Sequence, residues 1–341
     1  MSSGFGRTLR RAGSVVPAAL TRGFARPAAL FFHGVEHHIA DARVQSNHHD
    51  FAAFSEIARF LKDNFEILPL AMLDEVLRAP QRHRRSMFLM SDDGYANTLG
   101  VAQKILQELN LPWTLFVSTR HIDTPERNPA FLARLFCFFA PNAKYDIAHL
   151  NAQLVLDDGE DRAGTANRFV ARLTALDADR AQAALASMRA QFPGLDALAQ
   201  GYTSDTFLTW PEVAALKARG VEIGAHAHWH WPMHDAQSAE YVGEQARLSR
   251  ARIEAEIGAC RYFAYPFGNV ADVGRAAWRA VRDAGYDYAF TTLSGSLDAS
   301  TNRWLMPRYG LEVREPRLPA LVPWLRAGNA RLRAWQRQMA D

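Results

Sequence analysis

The sequence predicts an α/β fold built on parallel strands and interrupted by a helical insertion, and three observations carry that expectation. Short apolar runs of strand length alternate with amphipathic stretches of helical period. The chain has 341 residues, 48% of them hydrophobic and 22% charged. It can therefore bury a large core, and its balance is that of a folded globular protein rather than a disordered or fibrous one. Residues 121–205 break the alternation. They are rich in Ala, Leu, Asp and Arg, read mostly as helix, and separate two segments that would otherwise be near neighbours.

Taken in order, strands are expected at 28–34, 86–91, 113–118, 221–225, 262–265 and 286–291, each a short apolar run. Helices are expected between them. Residues 51–60 and 98–109 carry apolar side chains at helical spacing. The helix 211–219 opens on Thr209-Trp210-Pro211-Glu212, where Thr209 can cap, Pro211 suits the first turn and Glu212 completes a capping box. A long charged helix is expected over 236–257. Another, over 273–284, ends at Gly285 before the next strand. The insertion 121–205 is expected to depend on the main body for its folding.

The formal net charge of +3 is too small to point to nucleic acid. Arginines gather at the two ends, with Arg7, Arg10, Arg11, Arg22 and Arg26 in front and Arg326, Arg331, Arg333 and Arg337 behind. Three regions follow: a basic segment 1–26, a body 27–316 that includes the insertion, and a basic amphipathic helix 317–341. That last helix carries Trp324, Leu325, Leu332, Trp335 and Met339. It suits either docking on the body, with its arginines in water, or peripheral contact with an anionic membrane. The two cysteines, Cys137 and Cys260, lie far apart in apolar surroundings and read as buried thiols. No apolar run has secretory or membrane-spanning length, so the expected location is cytoplasmic, with possible contact at the inner membrane face.

Three motifs carry chemistry, each at the end of an expected strand. Ser91-Asp92-Asp93-Gly94-Tyr95 follows the apolar run Met87-Phe88-Leu89-Met90. Adjacent carboxylates repel unless a cation lies beside them, and a divalent metal would let one ligate while the other serves as a base. Taken alone, the same residues would also suit a turn. Gly224-Ala225-His226-Ala227-His228-Trp229-His230-Trp231-Pro232 places two imidazoles four residues apart, a spacing that brings them to one side of a turn. Two histidines and a carboxylate suit Zn²⁺ and leave positions open for water and substrate. His228 and His234 are additional or alternative ligands, and a histidine-rich surface loop is the bland alternative. In Arg261-Tyr262-Phe263-Ala264-Tyr265-Pro266-Phe267-Gly268-Asn269 the Pro-Phe-Gly turn can aim a backbone N–H at a developing oxyanion.

The order Asp-Asp-Gly, His-x-x-x-His, Phe-x-Tyr-Pro-Phe-Gly resembles the polysaccharide deacetylases, the chitooligosaccharide-deacetylase-like group of carbohydrate esterase family four. Phe31-Phe32-His33-Gly34-Val35 looks like that family's first strand. Residues 285–292 and Leu305-Met306-Pro307-Arg308 look like its last strands. The resemblance implies a distorted (β/α) barrel with its site at the C-terminal ends of the strands. It implies Asp93, His226 and His230 as ligands of a divalent metal, most simply Zn²⁺. It also implies Asp92 as the base toward the attacking water and the Phe267 N–H as oxyanion donor, with Tyr95, Tyr265, Pro266 and Arg308 facing substrate. Four departures stand out. Ala227 replaces a Ser or Thr, and Trp231 intervenes before Pro232. Ala264 stands where many relatives have an arginine that braces the catalytic aspartate. Pro307-Arg308-Tyr309 lacks the histidine that serves as general acid, for which His33 is the candidate, since a guanidinium does not donate a proton at physiological pH.

The expected function is removal of an N-acetyl or other N-acyl group from an amino sugar of a polysaccharide, oligosaccharide or lipid-linked precursor. Deformylation, ester deacetylation and cyclic-amide hydrolysis use the same metal set. A carbohydrate-binding pseudoenzyme is the reading from another class, because the missing arginine and histidine are what eroded catalysis would leave.

Overall fold

The computed structural model describes residues 26–157, 161–311, 313 and 330–340. Its centre is a sheet of parallel strands in the order Tyr288–Phe290, Tyr262–Ala264, Glu222–Ala225, Thr114–Val117, Ser86–Ser91, Ala28–Phe32, Tyr309–Gly310, with Glu66–Ile67 beside the start of Ser86–Ser91. All six expected strands are present within a few residues of their expected bounds. The closing strand that the resemblance places at 305–308 is the short Tyr309–Gly310, just beyond those bounds. It lies against Leu30 and Phe31, while three residues earlier Met306 bridges to Phe290 on the opposite edge. The segment 306–310 thus spans the gap between the two edges and curls the sheet into a distorted (β/α) barrel.

Alternation along the strands explains why they read as continuous apolar runs. Ala29, Phe88, Met90, Phe116, Tyr262, Ala264, Tyr288 and Phe290 pack together in one buried cluster, the inside of the curl. Their neighbours Leu30, Leu89, Leu115, Ile223, Phe263 and Ala289 pack in another, against the surrounding helices. With both faces covered, no polar alternation survives. The helices obey their caps. Asp50 accepts from the amides of Ala52 and Ala53 at the start of Phe51–Asn64, which buries Phe54, Ile57, Ala58 and Leu61. Glu212 accepts from the Thr209 N–H at 2.8 Å as the capping box required, and that helix runs Trp210–Ala218. The expected helix 98–109 opens instead on a wide π-type turn, Thr98–Ala102, before the α-helix Gln103–Glu108. Asn97, at its mouth, is held by the Val35 N–H and the Ser204 carbonyl, tying the turn to two other segments.

The insertion has its own core. The helices Pro129–Phe139, Arg162–Thr174 and Ala178–Gln191 bury Phe136, Phe169, Leu173 and Met188 together. An antiparallel pair, Ala143–Tyr145 with Leu154–Leu156, interrupts the expected run of helix. Trp229 and Trp231, from the histidine motif of the body, are stacked in that same core with ring centroids 5.3 Å apart. Trp231 is fully buried and donates from Nε1 to the Leu176 carbonyl. The departure at Trp231 therefore has a packing cause, because it roots the insertion beside the motif. Both cysteines are buried free thiols, and burial raises each to about 12.

Within the described residues the C-terminal helix is Ala330–Ala340; Trp324, Leu325 and the basic segment 1–25 lie outside them. Leu332, Trp335 and Met339 are buried against the body, the Trp278 indole N–H donates to the Met339 carbonyl and the Gln336 amide donates to the Leu305 carbonyl. Its apolar stripe is thus covered by protein, which favours the docked reading over a membrane-facing one. No helix among the described residues is long and apolar enough to cross a membrane. Trp335→Ala is expected to lower the unfolding free energy by about 3 kcal/mol, as for other buried aromatics. A change below about 0.5 kcal/mol in denaturant melts, the range of surface substitutions, would contradict the docking.

Candidate metal centre

Because the sheet is parallel, the residues following each strand emerge at one end: His33, Asp92 and Asp93, Ser118, His226 and the 265–267 turn. The backbone there is bent to purpose. Among the described residues five non-glycines have positive φ, and three of them, Asp93, Ala227 and Phe267, belong to the three motifs. Each left-handed residue costs on the order of 1–2 kcal/mol, and such strain gathers where function holds a group in place. Gly94, also at positive φ, lets the turn lie on strand 114–117, since a Cβ there would sit 3.0 Å from Val117 Cγ1.

Asp93, His226 and His230 converge. His226 Nε2 and His230 Nε2 are 3.1 Å apart and lie 3.3 and 2.9 Å from Asp93 Oδ1, all three side chains being buried. Asp93 Oδ1 has no hydrogen-bond partner despite these short distances, while the two Nε2 atoms are within hydrogen-bond distance of each other. Two neutral imidazoles in such contact either share one N–H as an N–H···N bond or, with both lone pairs turned inward, need a cation between them. Donors bonded to one ion at about 2.1 Å stand about 3 Å apart, which is the triangle seen. The donor set therefore fits a divalent metal. The local field agrees. Burial would lower the His226 imidazole, but Asp92 and Asp93 together raise it. Burial would likewise raise Asp93, yet His230 and His226 hold it well below the usual carboxylate range. His226 Nδ1 lies 2.8 Å from the Ala264 carbonyl, which fixes Nδ1 as the protonated nitrogen and leaves the Nε2 lone pair for the site. His228 and His234 stay outside this set. His228 Nδ1 pairs with Thr119 Oγ1, and His234 Nε2 with the Thr174 carbonyl.

Asp92, the neighbouring carboxylate, is gripped by an arginine. Arg308 Nη1 and Nη2 donate to its two oxygens at 2.7 and 2.8 Å, and Arg308 Nε donates to the Thr291 carbonyl. The guanidinium is fully buried, lying over the rings of Phe31 and Phe116. Burial would push Asp92 up; Arg308 and His226 outweigh it and hold its carboxyl below the usual range. Arg308, expected from the sequence to face substrate, is instead the partner of Asp92, supplying from just before the last strand the charge that Ala264 does not. Two more expected substrate contacts are corrected. Tyr265 is fully buried with its hydroxyl donating to the Trp304 carbonyl, and Pro266 is buried outside the cleft.

The cleft over these residues has a volume of about 420 Å³. His33, Asp92, Asp93, His226 and His230 form its floor, with Phe31, Phe267, Asn269 and Thr292 on one side and Tyr95, Ser46 and Asn47 on another. The third wall comes from the insertion and its end, through Asn128, Phe131, Arg134, Val170 and Asp205. The sequence allows the insertion a part in shaping the groove but singles out none of these residues, because nothing local marks a helical segment as cleft-lining. Burial lowers the His33 imidazole against the pull of Asp93 and Asp92. Asp205 accepts from Gln45 Nε2 at 2.7 Å, and burial still raises its carboxyl to about 6.

Comparison with known proteins gives a consistent result. The family model for polysaccharide deacetylase matches residues 79–289, more than half the chain. No curated protein matches the sequence as a relative. Among solved structures, the Streptococcus pyogenes deacetylase PplD in complex with acetate is similar with a TM-score of 0.56 at 14% identity, over 87% of this chain and 97% of that one. IcaB from Ammonifex degensii gives 0.54 at 14% over 89% and 98%. A de-N-acetylase from Aggregatibacter actinomycetemcomitans gives 0.53 at 15% over 85% and 96%. At these identities the likeness is one of fold.

Two outcomes follow from the charges. Arg308→Met leaves Asp92 buried without its partner and is expected to destabilise the protein by about 3–5 kcal/mol. Adding Asp92→Asn should recover part of that loss in a double-mutant cycle, and strictly additive losses would refute the pairing. Asp205 keeps its proton longer in the folded chain than in the unfolded one, so its burial costs nothing at pH 4 and progressively more up to about pH 6. Asp205→Asn should therefore gain about 2–3 kcal/mol of stability relative to the parent between pH 4 and pH 7. A pH-independent difference would contradict the raised carboxyl.

Proposed function

Because this chain belongs to the polysaccharide deacetylase family, we propose that it is a metal-dependent hydrolase that removes the N-acetyl group of an amino sugar in an oligosaccharide, polysaccharide or lipid-linked glycan. The observation that carries this reading is the meeting of Asp93 Oδ1, His226 Nε2 and His230 Nε2 beside a second, separately held carboxylate. Two imidazoles and a carboxylate suit Zn²⁺, which would supply Lewis-acid polarisation of the acyl carbonyl.

The chain's own groups do the rest. Asp92, fixed in orientation by the two-pronged contact with Arg308, takes the proton of the attacking water. The wall at Phe267 faces the acyl oxygen, and its backbone N–H is the proposed donor to the negative charge that develops there. His33 delivers the proton that the leaving amine needs; the burial that lowers its pKa makes its imidazolium a stronger acid once protonated. Tyr95, stacked on Phe207 with ring centroids 5.3 Å apart, offers a rigid edge at the cleft for a sugar. The pseudoenzyme reading loses one of its two supports, since the brace on Asp92 is present through Arg308.

The test is to incubate zinc-loaded protein with N-acetylated chitooligosaccharides and with lipid-linked N-acetyl and N-formyl amino sugars, measuring acetate and formate separately. Acetate release is expected, falling at least about 100-fold in Asp92→Asn and in His226→Ala, the usual span for loss of acid–base or metal function. Release that is unchanged in both variants would overturn the proposal, and formate alone would reassign the acyl group.

A further inference from the structure

The two ligand histidines are held differently from behind. His226 Nδ1 meets the Ala264 carbonyl, which only accepts, so its proton sits away from the site. His230 Nδ1 instead meets the side-chain nitrogen of Asn128 at 3.1 Å, a group that only donates. The amide oxygen of Asn128 accepts from the Ala130 N–H at 2.9 Å, capping the first long helix of the insertion, Pro129–Phe139. In this arrangement the proton of a neutral His230 sits on Nε2, within hydrogen-bond distance of the His226 Nε2 lone pair. A cation at the three-atom point needs the His230 Nε2 lone pair, which moves the proton to Nδ1 and leaves two donors facing one another in a buried contact, Asn128 being 6% exposed.

We infer that Asn128 is a positioning residue of the metal centre. Its amide turns so that Oδ1 accepts from His230 Nδ1–H when the site is filled, and the cap on Ala130 is given up in exchange. The inference rests on the metal reading proposed above and adds that the insertion takes part in it, coupling the start of its first long helix to the tautomer of a ligand. Partners behind ligand histidines commonly set metal affinity by 10–100-fold.

Carboxylate and hydroxyl side chains cap helices about as well as asparagine, so a residue that only caps would leave metal binding alone when exchanged for either. In Asn128→Asp one oxygen caps Ala130 while the other accepts from His230 Nδ1–H, and Zn²⁺ affinity is expected to rise about tenfold. In Asn128→Ser the cap stays but the hydroxyl is too short to reach the ring, and affinity is expected to fall about tenfold. Zn²⁺ affinity is read by competition with a chromophoric chelator, with thermal melts of the metal-free proteins establishing that each variant folds. Affinities for both variants within about twofold of a zinc-binding parent would overturn this inference alone. A folded parent that takes up no Zn²⁺ would overturn the site reading and this inference with it.

Discussion

The site is organised by one electrostatic constraint: two imidazole nitrogens 3.1 Å apart, beside a buried carboxylate oxygen that has no hydrogen-bond partner, at the floor of the cleft. An N–H on one ring can bridge the two nitrogens but leaves the carboxylate oxygen unpaired, which is unfavourable in a low-dielectric interior, and a cation among the three atoms satisfies all of them. The neighbouring carboxylate cannot share this solution, because it would compete for the same ion. Arg308 resolves the competition. By binding both oxygens of Asp92 it keeps the two adjacent aspartates in different roles, one turned to the metal position and one held as a base. Removing Arg308 would therefore disturb a division of labour as well as an ion pair.

The fold supplies the precision this demands. A wholly parallel sheet delivers its strand ends to one face, and the left-handed residues Asp93, Ala227 and Phe267 turn the chain sharply at three of those ends. The insertion belongs to the same machinery. It is rooted by Trp229 and Trp231, which flank His230, walls the cleft with Phe131 and Arg134, and reaches the back of His230 through Asn128. Residues that look like an appendage in the sequence thus touch the site on two sides.

What could be read from the sequence was what is encoded locally. The strands are apolar runs because both faces of the sheet are covered, and Asp93, His226 and His230 stand in spacings that metal chemistry requires. Partnerships across the chain were illegible. Arg308 and Asp92 are separated by 216 positions, and the resemblance alone turns the arginine toward substrate; the fold instead buries its guanidinium on Asp92. Tyr265 and Pro266 are displaced for a related reason, since the first packs in the outer core with its hydroxyl on the Trp304 carbonyl and the second is buried away from the cleft. Asn128 and Asp205 carry no motif at all. Their roles come from how the insertion folds back on the barrel, which pattern and spacing do not specify.

Anomalous diffraction from crystals of the zinc-loaded protein, collected on both sides of the zinc edge, addresses the central claim most directly. The account predicts one strong peak bonded to Asp93 Oδ1, His226 Nε2 and His230 Nε2 at about 2.0–2.2 Å, with Asp92 still paired to Arg308 and outside the coordination sphere. A zinc peak held by other residues, or a loaded crystal with none at this triangle, would contradict it.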